Sequence, residues 1–548
     1  MERVLLTSFS TATVPTMEIK TLTELTLAPQ TVAIAVLVIV ACAFFQKIHL
    51  EWQVRKLPAF HDAISSEAHR KQYIKSAKRL YREGYEKVNS DVVLSRLQLT
   101  NSKFKDSVWR VTSADGFHQV VVSPSLLPEL RKIPDSVLSI EKAVAQFFEV
   151  KYTRLLASDR DIAFLIHSIK SDLTPALARL NGIVYTAVEE ALKEEMPADC
   201  EDWTPVKINA KLITMVAKIT GLIFVGPELC HNEDYVDSAI NYPGNVVAAA
   251  QAVKLIRPFL RPWLAPRLPE LRKLDQTERK AMQMLEPIVK ARRDAQAKDP
   301  DLQQPNDMLG WLMKRMDKEG IRDNLVLAKQ QLILIFLAVH TTSTTVTNVL
   351  YTLAASPEYI EPLREEVRQA IAENGGTVTS RALERMVKLD SYMKETSRFY
   401  SGIVNFQRKV VHGFTLSNGQ YIPPGVIIEA PSHAIYMDDA NFPRDSQPAE
   451  VFDGFRYYKL RQSGLVTDHA RNLFVTTNEH NLGFGYGKHA CPGRFFAANE
   501  IKMLLARLLL DYDFKNEGDS MERYPPIEIG GFTSPDPSKN LLFRKVRV

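Results

Sequence analysis

Phe484-Gly485-Tyr486-Gly487-Lys488-His489-Ala490-Cys491-Pro492-Gly493-Arg494 sets three glycines and a proline around one cysteine, directly before an amphipathic stretch from Phe495 to Leu510. Glycine has no Cβ, so such a loop can turn tightly and bring its backbone close to something large and flat. A helix starting where the loop ends aims its positive end and free N–H groups at the sulfur, which favours thiolate. Lys488, His489 and Arg494 add positive charge nearby. A thiolate held this way suits nucleophilic catalysis or metal ligation. The alternative is a structural cysteine packed as a small hydrophobe. No C-x-x-C-H occurs, which excludes a c-type haem attachment, and without a close partner cysteine a zinc site is disfavoured.

The whole chain narrows the choice. With 548 residues, 45% hydrophobic and 24% charged, it has an ordinary globular composition. Disordered, collagenous and multi-span membrane classes are excluded. Sixty-nine Lys+Arg against 64 Asp+Glu leaves +5, too small a surplus to suggest nucleic acid as a partner. Four cysteines (Cys42, Cys200, Cys230 and Cys491) cannot form a disulfide framework in so long a chain.

Upstream of the loop, Glu395-Thr396-Ser397-Arg398 puts acid and base on one face of a helix, and Phe452-Asp453-Gly454-Phe455-Arg456 supplies a third charge in an aromatic setting. The apolar run Leu332–Val339 leads straight into His340, Thr341, Thr342, Ser343, Thr344 and Thr345, so it reads as a buried core helix rather than a span. Polar groups inside such a helix need a functional or hydrogen-bonding reason. Helical patterns cover Thr204–Phe224, Asp275–Ala297, Asp323–Ala355, Pro357–Glu373, Ser380–Tyr400 and Pro492–Leu510. Strand-like runs with turn signals fall at Val108–Val122, around Asp115-Gly116, and Gly413–Ile428, around Asn418-Gly419. The predicted fold is mostly α with small β-sheets.

At the N-terminus, Ala28–Gln46 carries no charge and is just long enough to cross a bilayer core of about 30 Å. About 27 mostly polar residues precede it, which argues against a cleaved signal peptide. Lys47, Arg55 and Lys56 follow and favour a cytosolic main body. The expected organisation is a non-cytosolic segment 1–27, a transmembrane helix 28–46, a linker 47–60 hinged at Leu57-Pro58, and one domain from 61 to 548. Arg257–Glu270 is too proline-rich for a continuous helix. It reads as a packed connecting loop or as a loop dipping into the membrane interface, where Trp and Arg are favoured.

F-x-x-G-x-x-x-C-x-G at Phe484–Gly493, E-x-x-R at Glu395–Arg398 and the aromatic-flanked Arg456 resemble, in this order, the cytochrome P450 haem-thiolate monooxygenases. The resemblance runs from about Pro58 to the end, and the anchor fits the microsomal branch. His489–Lys502 and the Ala338–Thr342 run are similar to fungal enzymes of terpenoid and other secondary metabolism. The resemblance implies the cytochrome P450 fold behind one transmembrane helix, with haem b on Cys491 as axial thiolate. It implies that Phe484 packs near that sulfur, and that Glu395, Arg398 and Arg456 form a structural charge triad. Arg408 matches a propionate-binding Arg, His489 stands where the family commonly has another, and Lys170 is a third candidate although the usual W-x-x-x-R is not legible there.

The oxygen-side motif departs from the family: Ala338 stands for Gly and His340 for the usual acid. Thr341 aligns with the hydroxyl that holds dioxygen and feeds it protons. His340 is either a proton relay or a residue that satisfies a backbone carbonyl. Ala338, Val339, Ile403, Val404, Phe406, Phe532 and Thr533 are the candidates to line an apolar pocket. The implied reaction is insertion of oxygen from O₂ into a C–H bond of a terpenoid or meroterpenoid, with electrons from NADPH through a membrane-bound reductase. Cytochrome b5 is an optional second donor, and the basic surface around Lys488 and Arg494 is the expected docking patch. A polyketide or alkaloid-derived substrate, an O₂-independent haem-thiolate isomerase or dehydratase, and a non-catalytic haem carrier are the alternatives. The expected location is the endoplasmic reticulum membrane, single-pass, in contact with lipid, with the catalytic domain cytosolic.

Overall fold

The structure, a computed structural model, describes residues 29–58, 66–96, 108–113, 118–155, 159–400, 402–462 and 466–547. The chain divides into a unit Met1–Lys56 and a unit Leu57–Val548. The first contains one helix, α1 (Pro29–Arg55). The segment 1–27, Ala28 and the Asp115-Gly116 turn lie outside the described residues. The helix runs on through Lys47–Arg55, where a linker was expected, because no proline or glycine interrupts it before Pro58.

In chain order the second unit contains α2 (Ser66–Arg96), β1 (Val108–Thr112), β2 (His118–Val122), β3 (Leu138–Ser139), α3 (Ile140–Phe147), α4 (Thr174–Glu195), β4 (Thr204–Val206), α5 (Ile208–Phe224), α6 (Glu233–Leu255), α7 (Pro269–Lys298), α8 (Asn324–Ala355) and α9 (Val387–Tyr400). After α9 come β5 (Asn405–Val410), β6 (Phe414–Thr415), β7 (Tyr421–Ile422), β8 (Ile427–Ala430), α10 (Arg494–Asp511), β9 (Tyr512–Asn516), β10 (Ile527–Ile529), β11 (Phe532–Ser534) and β12 (Leu541–Lys545); further helices, among them Asp159–Ser168, Met308–Lys318 and Ile360–Ala372, and short helical turns lie between these elements. The main sheet has the order β1-β2-β8-β5-β3; a second is β4-β12-β9; β6-β7 and β10-β11 are separate hairpins. Thr204–Val206, expected as the start of a helix, is instead an edge strand paired with β12. Ser380–Tyr400 breaks at Met386 into a short helix, Ser380–Arg385, and α9.

α8 is the axis of the core, packed against α5, α6, α7, α9 and α10. Asp323 caps it by accepting from the Leu325 N–H at 2.7 Å. Its mid-helix hydroxyls bond back one turn: Thr341 to Leu337 O at 2.7 Å, Ser343 to Val339 O at 2.9 Å, Thr345 to Thr341 O at 2.8 Å and Thr347 to Ser343 O at 2.7 Å. This is how a polar run survives inside an apolar helix. α9 is buried although it carries charge, and each charge is answered. Asp390 pairs with Lys502 at 2.8 Å and Arg461 at 3.0 Å, while Lys394 donates to the Arg471 and Leu473 carbonyls, each at 3.1 Å.

Candidate functional site

The cysteine loop closes through a bond from the Cys491 N–H to the Phe484 carbonyl at 2.7 Å. Gly485 and Gly487 take φ of +76° and +70°, which a Cβ would strain, and a Cβ on Gly487 would come within 3.1 Å of Arg131 Cβ. α10 starts three residues beyond the sulfur, and Arg494 reaches back to donate to the Cys491 carbonyl at 2.8 Å. Burial pushes the Cys491 thiol up; the N–H groups of Gly493 and Arg494 pull it down without winning. Phe484, half-buried beside the loop, packs edge-to-face on Phe474 at 5.1 Å.

Behind the loop lies a buried charge cluster. Arg398 grips Glu395 with two bonds of 2.8 Å, and Arg456 Nε reaches the same carboxylate at 3.2 Å. The spare donors are consumed by backbone carbonyls: Tyr436 and Ala449 for Arg398 at 2.6 and 2.7 Å, Pro448 and Val451 for Arg456 at 2.9 and 2.7 Å. The cluster thus fastens the irregular 436–456 segment to α9.

A second charge group surrounds a small cavity of about 10 Å³ lined by residues including Arg131, Asp135, Phe406, Arg408, Lys488 and His489. The pairing of β5 with β8 shifts register between Asn405 and Arg408, and Phe406 takes φ of +55°, a strained value for a bulky side chain. Asn405 holds this bulge, accepting from the Phe406 N–H at 2.7 Å and donating to the Leu482 carbonyl at 2.6 Å. The result points Arg408 inward. It is buried, donates to the Gln407 carbonyl at 2.8 Å, and makes no ion pair among the described residues. Burial pulls its guanidinium down to about 10. His489 meets Asp135 at 2.7 Å and Lys488 meets the same oxygen at 3.1 Å. Burial opposes ionisation of Asp135, yet these two bonds hold it below the usual carboxylate range. Lys488 keeps about half of its side chain exposed while making this pair. Lys170 lies apart from this cluster's lining, exposed on a π-helical turn, Ile169–Leu173, without an ion pair among the described residues.

The open face of α8 differs from the one read from the sequence. Leu337, 53% exposed in a helix otherwise buried, and exposed Thr341 stand one turn apart on it. Ala338 and His340 flank them half-buried, whereas Val339 points into the core. Ile403 and Phe406 are buried; Phe406 lines the small cavity described above and packs against Tyr486 and Arg408. Val404 and Thr533 are half-buried and Phe532 is exposed. A chain of aromatic contacts, Phe336–Phe148 at 5.3 Å, Phe148–Phe147 at 4.7 Å and Phe147–Phe532 at 5.4 Å, joins α8 to β11 through the end of α3. Sequence reasoning missed Asp135, Phe147, Phe148, Phe336 and Leu337. Only Leu337 had a signal, its position four residues before Thr341. His340 Nε2 bonds the Ile240 carbonyl on α6 at 2.9 Å.

A family model described as Cytochrome P450 matches residues 172–543. Among characterised relatives, the cytochrome P450 monooxygenase ATR3 of Stachybotrys chlorohalonatus is 40% identical over 431 residues, 78% of this chain and 88% of its own. The cytochrome P450 monooxygenase TES1 of Alternaria alternata is 32% identical over 524 residues, 95% of this chain and 94% of its own. The ent-kaurene oxidase P450-4 of Gibberella fujikuroi is 35% identical over 449 residues, 81% and 86% respectively.

Proposed function

The chain belongs to the cytochrome P450 family of monooxygenases, and from that premise we propose that it inserts one oxygen atom from O₂ into a C–H bond of a hydrophobic polycyclic terpenoid. The observation that carries the substrate class is the exposed Leu337 beside Thr341, next in sequence to Phe336, from which phenylalanine contacts run to Phe532. An apolar wall with one hydroxyl fits a hydrocarbon skeleton better than a polar metabolite. Similarity to a protein named ent-kaurene oxidase supports the terpenoid choice over a polyketide or alkaloid.

The residues fit a haem. Arg408 is a buried cation with no carboxylate partner among the described residues, in a lining that sets Arg131, Lys488 and His489 against Asp135 alone. That donor set suits the acid groups of the macrocycle. When bound, the haem supplies dioxygen activation and the bond-breaking chemistry. Cys491 would hold its iron from a loop that two left-handed glycines keep compact. Arg408 and His489 would hold its acid groups, and Lys170 would contribute only by swinging in from solvent. Thr341 Oγ1, now donating to Leu337 O, can turn to hold or pass a proton on the open face. The aromatic chain excludes water and orients the substrate.

The same proposal places the protein in the endoplasmic reticulum membrane. α1, at 27 residues about 40 Å long, is ample for one span over its uncharged part, Pro29–Gln46, with 1–27 non-cytosolic and the domain 61–548 cytosolic. Electrons would come from NADPH through a membrane reductase, with cytochrome b5 as an optional donor. The test is expression with a reductase and feeding of ent-kaurene-type hydrocarbons, with products read by mass spectrometry. Oxygenated products requiring NADPH and O₂ are expected; turnover without O₂ would favour an isomerase or dehydratase. Cys491→Ala should lose both products and the red-shifted Soret band of the ferrous carbon monoxide complex, while Cys200→Ala and Cys230→Ala keep them.

A further inference from the structure

His340 stands at the edge of the open face of α8, next to Thr341, and its Nε2 bonds the Ile240 carbonyl of α6 at 2.9 Å. That bond lands at a weak place. α6 carries Pro243 within it, followed by Gly244. Proline has no N–H to offer the Ala239 carbonyl and its ring crowds that turn. Glycine adds the largest backbone entropy cost of any residue. The middle of α6 is therefore the point where the helix bends most easily, and Ile240 lies one turn ahead of it.

The C-terminal half of α6, beyond this weak point, leads to the aromatic chain. Near the end of α6, Lys254 Nζ sits 4.8 Å from the centre of the Phe147 ring, the ring that links Phe148 and Phe336 to Phe532. Beyond it, Arg261 pairs at 2.8 Å with Glu149, just after those phenylalanines. Bending α6 at Pro243 would shift this end relative to α8 and loosen the aromatic chain it touches.

We propose that His340 is a positioning residue, a latch that ties the turn of α6 just before Pro243 to the Thr341 turn of α8 and so restrains the bend of α6. The latch rests on the monooxygenase reading for the identity of the pocket, but the geometry it invokes does not. It needs only a side-chain N–H that reaches the Ile240 carbonyl, so glutamine can replace the imidazole in that task. A proton relay would lose its imidazole in either substitution.

Hydrogen–deuterium exchange on the purified holoenzyme tests it with His340→Ala and His340→Gln. Amides of residues 241–250 should exchange roughly fivefold to tenfold faster in His340→Ala and at close to the wild-type rate in His340→Gln. Association of 4-phenylimidazole, followed by its Soret shift, should quicken in the Ala variant and recover in the Gln variant. Adding Gly244→Ala, whose Cβ would meet nothing within 4 Å, should slow exchange in the His340→Ala background by roughly fivefold. Unchanged exchange over 241–250 in His340→Ala overturns the latch. So does a Gln variant that behaves like Ala, because the imidazole itself would then matter. Should His340→Ala fail to accumulate, His340→Leu, which fills the space without an N–H, takes its place: the latch requires faster exchange over 241–250 in the Leu variant and wild-type exchange in the Gln variant, and equal exchange in both overturns it. If the thiolate spectrum were absent but exchange showed this pattern, the haem reading would fail and the latch would stand.

Discussion

At the scale of single residues, charges taken out of water decide which positions tolerate change. Glu395 is fully buried between Arg398 and Arg456, so removing it strands two guanidinium groups. Glu395→Ala should cost about 3–5 kcal/mol, read as lost haem content and a large drop in apparent Tm. Glu429 is the opposite case, a fully buried carboxyl with hydroxyl and amide partners, Tyr81 and Gln407, the latter at 3.0 Å. Burial pushes it from 4.5 up to about 7, so the folded form keeps a proton that the unfolded chain releases earlier. Its stabilising effect is full below pH 4.5 and is lost as pH rises to about 7. The apparent Tm of wild type minus that of Glu429→Gln should fall across that window, by the equivalent of up to about 3 kcal/mol, and be flat above it. A difference that rises with pH would contradict the assignment. At this scale the cysteine loop and the Glu395–Arg398 pair were legible because their chemistry is local in sequence. Asp135 was not: it is 354 residues from His489, and only the fold brings them to 2.7 Å.

At the scale of elements, α8 shows what periodicity can and cannot settle. Its bounds were readable from Asp323 and the apolar run, and so was its burial. The orientation of its open face was not, because an all-round apolar helix gives no amphipathic stripe to follow. The structure separates two neighbours that composition treats alike. Val339 is fully buried, so Val339→Ala should cost about 1–3 kcal/mol of stability and leave product distribution unchanged. Leu337 is mostly open, so Leu337→Ala should cost little stability and shift the site or spread of oxidation. Product profiles and apparent Tm together check the pair; the reverse pattern would mean the open face is not the pocket. Thr341→Ala, on that same face, should raise peroxide release per NADPH consumed. The strands show the converse limit. Thr204–Val206 reads as helix by pattern, yet becomes an edge strand because β12, more than 300 residues away, supplies its partner.

On the scale of the whole molecule, the proposed membrane location bears on the loop between α6 and α7. Arg257–Glu270 folds into short turns, Pro258–Leu260, Arg261–Leu264 and Ala265–Arg267, as its prolines require. A packed connecting loop would bury its large side chains. Instead Phe259 and Trp263 are each 64% exposed, and Leu255, at the end of α6 just before the loop, is 88% exposed. The arginines are less available than the sequence suggests: Arg261 is bound to Glu149 at 2.8 Å and Arg267 donates to the Trp263 carbonyl. Lipid contact here should therefore be mainly apolar, with Trp at the headgroup level. Protein lacking residues 1–46 should still co-sediment with phosphatidylcholine vesicles, and only weakly less so as salt is raised, because screening acts on charges and not on apolar burial. Phe259→Asp with Trp263→Asp should weaken that binding by roughly tenfold or more. Truncated protein that ignores neutral vesicles would reduce the loop to an exposed connector and leave α1 as the sole attachment. Binding that appears only with anionic lipid and vanishes in salt would transfer the contact to Arg257 and its basic neighbours.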